Sequence, residues 1–147
     1  MKSAGTRRVR LLLVDNQPAI RTGLRMWLSL EPCLEVVGEA SDGTEAISLT
    51  QALCPDVVLM DVEMPHMDGI SATAALRSLA PQSVVVILTL HDDTATRTRA
   101  REAGAAAFVA KHRMEETLLA EIRRVTLAHE KQRRLEPPVE RHEGSDA

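Results

Sequence analysis

Aromatic residues are almost absent from this sequence, which removes several functions from consideration. Its 147 residues contain one tryptophan, one phenylalanine and no tyrosine. Proteins that bind single-stranded nucleic acids stack the bases on aromatic rings, so this class of function is disfavoured. A formal net charge of −3 also argues against a dedicated DNA-binding module. Because 44% of the residues are hydrophobic, we expect a folded domain with an aliphatic core.

Cysteines and long apolar runs are also scarce. Cys33 and Cys54 form no CxxC motif, so two reduced thiols are expected, with a disulfide as the alternative. The basic start of the chain leads into an apolar run of only four residues, 11–14. Such a run is too short for a signal peptide or a membrane span. We therefore expect no membrane association and a cytoplasmic location.

Short apolar runs alternate with helical patterns five times along the chain. Apolar runs with β-branched residues and turn residues after them indicate strands that are buried on both faces. This alternation predicts an α/β fold, a flavodoxin-like, doubly wound (βα)5 unit with five parallel strands and helices on both faces. The predicted strands are 9–14, 34–40, 56–60, 84–88 and 106–110, and the best-defined helices are 44–52, 70–79 and 115–134.

Two further helices and their ends are predicted from capping residues. Asn16 can cap a first helix that has Pro18 in its first turn. Gly104 is suited to end a fourth helix. In the third helix, Ile70, Ala74 and Leu76 are predicted to face inward.

Two polar segments flank this α/β unit. Residues 1–8 are predicted to form a flexible N-terminus, and the unit itself is predicted to span 9–134. The segment 135–147 has no periodicity and contains consecutive prolines, so it is predicted to be a linker or a disordered tail.

Asp61 directly follows the apolar run of the third strand. In an open α/β sheet, ligands bind in the crevice outside the carboxyl ends of the strands. A carboxylate at that position is a candidate nucleophile or metal ligand. Alternatively, Asp61 only ends the strand and begins the turn that contains Pro65 and the Asp68-Gly69 pair.

Polar residues also end the other central strands, where Asp15, Asn16, Thr89 and Lys111 occur. A parallel sheet brings all these ends to one edge. Together they suit phosphoryl transfer to the Asp61 carboxylate, a transfer that requires neutralisation of the phosphoryl charge. Asp15 and Asp61 can bind Mg²⁺, while Lys111 and Thr89 can contact phosphoryl oxygens.

These motifs resemble the receiver domain of bacterial two-component response regulators, over about residues 9–134. The resemblance rests on Leu13-Val14-Asp15, on Leu59-Met60-Asp61-Val62-Glu63-Met64-Pro65 with Asp68-Gly69, on Thr89, and on Phe108 three residues before Lys111. The segments 21–24 and 36–40 resemble the subgroup with a LuxR-type helix-turn-helix output domain.

The resemblance implies a phosphorylation-controlled switch rather than an enzyme. Asp61 would accept a phosphoryl group from a sensor histidine kinase with Mg²⁺. Thr89 and Lys111 would contact that group, and Phe108 would be the aromatic switch residue that moves inward when Thr89 engages it. Glu63 and His91 would flank the group and tune its hydrolysis.

The implied metal ligands are Asp15, Asn16, Asp61 and the backbone carbonyl of Glu63. Asn16 departs from the family pattern, in which this position is usually a second acid. A carboxamide coordinates without contributing charge, so the sequence predicts weaker binding of Mg²⁺ and slower phosphorylation, or a preference for a different donor.

The output is expected to be transcriptional, through a DNA-binding domain that would follow the predicted linker; alternatively, the chain is a single-domain regulator that acts through protein contacts. A homodimer would form through the face of the fourth helix, fifth strand and last helix. Two alternatives remain at this point. One is a degenerate receiver that binds proteins without being phosphorylated, because Asn16 replaces an acid. The other is an aspartyl-phosphate phosphohydrolase, which would need a second catalytic acid and a substrate cap.

Overall fold

Each of five parallel strands is followed by a helix, as the alternation of patterns predicts. The computed structural model describes residues 7–135. The strands are β1 (Val9–Val14), β2 (Leu34–Ala40), β3 (Val57–Asp61), β4 (Val84–Thr89) and β5 (Ala107–Ala110). The helices are α1 (Pro18–Leu28), α2 (Gly43–Leu53), α3 (Gly69–Leu79), α4 (Thr94–Ala103) and α5 (Met114–Leu135), with a 3₁₀ turn at Lys111–Arg113 before α5.

The strand order of the sheet is β2-β1-β3-β4-β5. In this doubly wound arrangement the chain moves to opposite sides of β1, and the crevice for ligands opens between β1 and β3. The register pairs Val14 with Met60, so the following residues, Asp15 and Asp61, lie side by side at the carboxyl edge of the sheet. Thr89 pairs with Ala110, so Lys111 follows at the same edge.

Helices cover both faces of the sheet, and each face has its own aliphatic core. On one face α1 and α5 pack against the sheet through buried residues that include Leu24, Leu28, Leu118 and Ile122. On the other face α2, α3 and α4 contribute smaller residues, among them Ala46, Ala72, Leu76 and Ala100. The predicted flavodoxin-like (βα)5 fold is therefore confirmed.

The helix ends agree with the sequence in part. Gly104 ends α4 with a φ of 111°, a left-handed conformation that favours glycine. Pro18 begins α1, but the predicted cap at Asn16 is wrong. Gln17 is the N-cap residue and makes no side-chain capping bond. Asx caps do begin the next three helices, at Asp42, Asp68 and Asp93.

The inward face of α3 was predicted incorrectly at one position. Ala74 is exposed, whereas Ala72, Thr73 and Leu76 are buried. With Gly69 these residues form the i, i+3, i+4, i+7 stripe of one helical face, and Ala74 lies outside it. The small residues of this stripe allow α3 to lie close to the sheet.

Of the two flanking segments, residues 1–6 and 136–147 lie outside the described residues. Arg7, which belongs to the predicted flexible N-terminus, pairs with Asp56 through two hydrogen bonds of 2.9 and 3.2 Å. Cys33 and Cys54 are exposed free thiols. Within residues 7–135, no helix is long and apolar enough to cross a membrane.

Candidate functional site

A cleft of about 420 Å³ opens at the carboxyl edge of the sheet. The loops that follow β1, β3 and β4 and the start of the turn after β5 form its walls. Its lining consists of Asn16, Gln17, Asp61, Glu63, Met64, Pro65, Thr89, Leu90, His91 and Lys111. Most of the residues that the sequence predicts for a phosphorylation site therefore lie around one cavity.

Lys111 connects the two aspartates of this edge. Its Nζ donates a hydrogen bond of 2.8 Å to Oδ2 of Asp15 and lies 3.1 Å from Oδ1 of Asp61. The Lys111 side chain is 12% exposed and that of Asp15 only 2%. Burial by itself would lower the pKa of Lys111, but the bonds to both carboxylates outweigh it and raise that pKa, so the ammonium stays charged.

The Asp61 carboxylate is strained electrostatically. Burial raises its pKa above the usual value, and the negative charge of Asp15 adds to the effect. The Lys111 ammonium lowers the pKa of Asp61, but by less than the other two effects raise it. A buried carboxylate of raised pKa beside a cation and in a cleft is an environment in which functional groups concentrate.

Gly69, at the start of α3, lies directly against the backbone of Asp61. A Cβ atom on Gly69 would lie 1.9 Å from the carbonyl oxygen of Asp61, so no other residue fits without displacing the strand end. The Gly69 N–H donates a hydrogen bond of 2.8 Å to the carbonyl of Val62. The sequence predicted only a turn here, because a close backbone contact leaves no periodic signal.

Thr89 and His91 are linked on the opposite wall of the cleft. The backbone N–H of His91 donates to Oγ1 of Thr89 at 2.9 Å, which fixes the orientation of the hydroxyl. The His91 imidazole reaches across the cleft mouth, where its Nε2 lies 2.7 Å from Oε2 of Glu63. Both side chains are largely exposed, so Glu63 and His91 form a bridge at the entrance rather than a buried pair.

Phe108 is separated from these residues. It lies on β5 and is half-buried, with its ring packed against the core on the α2–α4 face of the sheet. The Arg97 guanidinium lies 4.6 Å from the ring centroid, a cation–π contact that covers its outer side. Phe108 lines a second cleft, between α4 and α5, instead of the one that contains Asp61.

The donor groups around Asp61 suit a hard cation. Two carboxylates lie within hydrogen-bonding reach of the same Lys111 nitrogen, and Asn16 and Glu63 line the cleft beside them. Carboxylate, carboxamide and carbonyl oxygens are the ligands that Mg²⁺ prefers, and Mg²⁺ needs few of them because it retains water. Within residues 7–135, no three histidine, cysteine or acidic side chains are grouped so that they could hold a metal by themselves.

Comparison with known proteins agrees with this geometry. The family model for the response regulator receiver domain matches residues 11–123. The transcriptional regulatory protein LiaR of Bacillus subtilis (strain 168) is 41% identical over 104 residues, 70% of this chain and 49% of LiaR. Protein-glutamate methylesterase/protein-glutamine glutaminase 3 of Anaeromyxobacter dehalogenans (strain 2CP-C) is 43% identical over 106 residues, 71% of this chain and 31% of that protein.

A solved structure gives the same result for the fold. The crystal structure of a LuxR-family two-component response regulator from Aurantimonas sp. SI85-9A1 superposes with a TM-score of 0.79 and 31% identity, over 88% of this chain and 99% of that one. The chain spans about half the length of LiaR and about a third of the methylesterase. With its fold, its cleft and its family match in agreement, the chain belongs to the response regulator receiver domains of two-component systems, and LuxR-family regulators are among its structural neighbours.

Proposed function

We propose that this chain is a phosphorylation-controlled switch in which Asp61 accepts a phosphoryl group from a sensor histidine kinase. The observation that carries the proposal is the Asp61 carboxylate, which lines the cleft at the end of β3 and lies 3.1 Å from Lys111. Receiver domains in general receive phosphoryl groups from histidine kinases and bind Mg²⁺ at the phosphorylation site. We place this reaction in the cytoplasm, where such kinases present their phosphohistidine.

In the proposed reaction, a carboxylate oxygen of Asp61 attacks the phosphorus of the phosphohistidine. A P–O bond forms, the P–N bond breaks, and the imidazole nitrogen of the donor leaves with the electron pair. Bound Mg²⁺ would neutralise charge on the phosphoryl oxygens, held by Asp15, Asn16, Asp61 and the carbonyl of Glu63. Lys111 would exchange part of its bonding to Asp61 for a phosphoryl oxygen.

Thr89 would sense the phosphoryl group. Its Oγ1 already accepts the His91 N–H, so the hydroxyl hydrogen is left to donate to a phosphoryl oxygen. A shift of Thr89 toward that oxygen would open space behind it. Phe108, covered by Arg97 in this structure, would then move inward and alter the face that α4, β5 and α5 present to partners.

The Glu63–His91 bridge would control the lifetime of the phosphoaspartate. The two side chains lie 2.7 Å apart in the lining of the cleft, where they would restrict the approach of a hydrolytic water to the phosphoaspartate. We expect Glu63→Gln and His91→Ala to change the hydrolysis rate of the phosphoaspartate without abolishing its formation, measured as loss of label after the donor is removed. His112→Ala, which alters a histidine outside the cleft lining, is the control. Unchanged lifetimes in both bridge variants would contradict this role.

One experiment tests the central proposal. The protein is incubated with Mg²⁺ and acetyl phosphate, and its intact mass is followed over time. We expect addition of one phosphoryl group in the native protein and none in Asp61→Asn. Omission of Mg²⁺ should prevent the reaction. A phosphorylated species that persists in Asp61→Asn would disprove the assignment of the acceptor.

The second candidate, a degenerate receiver, is favoured by Asn16. This residue lines the cleft where the family usually has a second acid, and it lowers the negative charge available to hold Mg²⁺. A native protein that gains no mass with acetyl phosphate would support this alternative. Turnover of a phosphate ester without accumulation of phosphoprotein would instead support a phosphohydrolase.

The output is proposed to be transcriptional, through a domain outside this sequence, since LiaR is named as a transcriptional regulator. We also propose a receiver over residues 9–134 and a linker or disordered tail over 135–147, of which Leu135 is the last residue of α5. The proposed dimer face of α4, β5 and α5 carries both charges: Arg97 and Arg101 lie along its cleft, and Arg124 pairs with Glu121 at 2.6 Å. Mixed charge favours protein contact over direct contact with DNA.

A further inference from the structure

Arg21, in the first turn of α1, connects the Asp15–Gln17 turn after β1 to the neighbouring strand β2. Its Nη1 donates a hydrogen bond of 2.6 Å to the backbone carbonyl of Asp15, and its Nε donates one of 3.0 Å to Oε1 of Glu39 on β2. The Arg21 side chain is only 17% exposed. The guanidinium is therefore shielded from solvent and bonded to the carbonyl that directly precedes Asn16.

The contacts around Asp15 immobilise the backbone on both sides of Asn16. The Asp15 N–H donates to the carbonyl of Ala40 at 3.1 Å, and the Gln17 N–H donates to Oδ1 of Asp15 at 2.9 Å. Arg21 holds a further group of this turn, the Asp15 carbonyl. Asn16 itself is exposed, so this fixed backbone, and not side-chain packing, limits the positions that its carboxamide can reach.

Glu39 keeps the guanidinium in place. Burial would raise the pKa of Glu39, but hydrogen bonds from Arg21 and Arg25 lower it, so the carboxylate stays ionised. The planar guanidinium offers two donors in a fixed relation, which allows one side chain to bond to Glu39 and to Asp15 at the same time. A lysine has a single nitrogen and cannot reproduce both bonds with this geometry.

We propose that Arg21 is a positioning residue for divalent-cation binding, and that it acts by holding the Asp15–Gln17 turn so that Asn16 presents its oxygen to the cleft. The inference rests on the proposed function of the cleft. A carboxamide ligand lacks the charge that would draw it to the ion, so its contribution depends on being held in place beforehand. Arg21 supplies that order from outside the coordination sphere.

The test compares two arginines that share Glu39. Arg21→Ala removes the bond to Asp15, whereas Arg25→Ala removes only a partner of Glu39. Isothermal titration with Mg²⁺ should show about tenfold weaker binding in Arg21→Ala, the lower end of the usual effect of an outer-sphere partner. Arg25→Ala should bind Mg²⁺ like the native protein, and Arg21→Lys should fall between the native protein and Arg21→Ala.

A second readout does not depend on the ion. In metal-free protein, amide hydrogen exchange at Gln17, whose N–H bonds to Asp15, should accelerate in Arg21→Ala and stay at the native rate in Arg25→Ala. The Leu59 amide in β3 serves as the reference for global stability. If Arg21→Ala unfolds, Arg21→Lys carries the comparison, because it keeps the charge but not both bonds.

Two results would overturn the inference. Equal weakening of Mg²⁺ binding in both alanine variants would show that the effect passes through charge near Glu39. Unchanged exchange at Gln17 in Arg21→Ala would show that the turn needs no such support. Failure of the proposed function appears differently. If the native protein binds no Mg²⁺, the switch is wrong, yet the exchange rates still decide whether Arg21 holds the turn.

Discussion

Asp56 and Asp61 lie at opposite edges of the sheet, one directly before β3 and the other at its end. Asp56 accepts hydrogen bonds from the Arg7 guanidinium and, at 2.8 Å, from the backbone N–H of Arg10. Asp61 shares a single ammonium, that of Lys111, with a second carboxylate. Aspartates at the two ends of β3 therefore differ: Asp56 accepts bonds from several donors, whereas Asp61 shares one ammonium with Asp15.

The pKa shifts of the two carboxyl groups have opposite signs for this reason. Burial would raise the pKa of Asp56, but the bonds from Arg7 and Arg10 outweigh it and lower that pKa. For Asp61, burial raises the pKa and Lys111 does not fully compensate. At the amino edge, folding thus favours the ionised form of Asp56. At the carboxyl edge, folding disfavours the ionised form of Asp61.

The contrast shows where this fold tolerates unfavourable electrostatics. A carboxylate with satisfied bonds is a poor nucleophile and has no open position for a cation. A carboxylate that competes for one ammonium gains from any new positive partner, such as Mg²⁺. Such local inconsistency is expected at functional sites and is offset by the rest of the structure.

The largest effect is expected from Lys111→Met, which removes the only cation within bonding distance of both site aspartates in the described part of the chain. Because two shielded carboxylates would face each other, the free energy of unfolding at neutral pH should fall by about 3 kcal/mol. Urea unfolding measures this value. The loss should shrink in acid, where Asp61 takes up its proton; a loss that persists there would indicate a packing role for the lysine stem.

The next effect is expected at the opposite edge, for Asp56→Asn. Loss of the charged bond to the Arg10 N–H should cost about 2 kcal/mol, with little from Arg7, whose side chain is 58% exposed. Because the folded pKa of Asp56 lies below its usual 3.8, this stability is present above pH 3.8 and is lost as the pH falls through the folded pKa. Equal destabilisation at all pH values would contradict the electrostatic origin.

Asp61→Asn should have the reverse sign. The folded pKa of Asp61 is raised, so ionisation lowers stability as the pH rises from 3.8 through the folded value. The variant avoids this penalty and should be more stable than the native protein at neutral pH, by about 1 kcal/mol, the ordinary size of a single-site change. Thermal unfolding at pH 4 and at pH 7 measures the difference, which should grow with pH. If Asp61→Asn were less stable than the native protein at pH 7, ionised Asp61 would be favourable in the folded protein, as ionised Asp56 is, and the two edges would not differ.

Much of this arrangement could be predicted from the sequence, because the strands and helices of a parallel α/β sheet leave periodic patterns of apolar residues. The alternation of apolar runs and helical patterns predicts that Asp15, Asp61 and Lys111 end strands, and a parallel sheet leaves them one edge to share. The strand bounds were less well predicted. Asp61 and Thr89 are polar yet pair with Leu88 and Ala110 in the sheet, so the apolar pattern stops before the strand does.

Contacts that depend on loop conformation were not predictable in this way. The bond from Arg21 to the Asp15 carbonyl and the approach of Gly69 to the Asp61 carbonyl involve backbone groups, which every residue carries. The same contacts explain the error at Asn16. Because the turn around it is held by its neighbours, the cap position passes to Gln17 and Asn16 faces the cleft.

The smallest change in stability and the sharpest functional test are expected from Asn16→Asp. A third carboxylate at this edge should add repulsion, but position 16 is exposed, so the metal-free protein should lose only a few tenths of a kcal/mol. The affinity for Mg²⁺ should rise about tenfold, because ligand charge governs the binding of hard cations. Titration calorimetry of the two proteins gives both affinities.

Gln17→Glu is the matched control for that experiment, because position 17 also lines the cleft but is not a proposed ligand. If coordination is responsible, only Asn16→Asp should bind Mg²⁺ markedly more tightly, and it should also accept the phosphoryl group of acetyl phosphate faster. Equal gains in the two variants would mean that the edge lacks negative charge in general. Equal affinities of Asn16→Asp and the native protein would mean that Asn16 does not limit the site, and that the cost of holding two carboxylates beside Lys111 already sets the affinity for the cation.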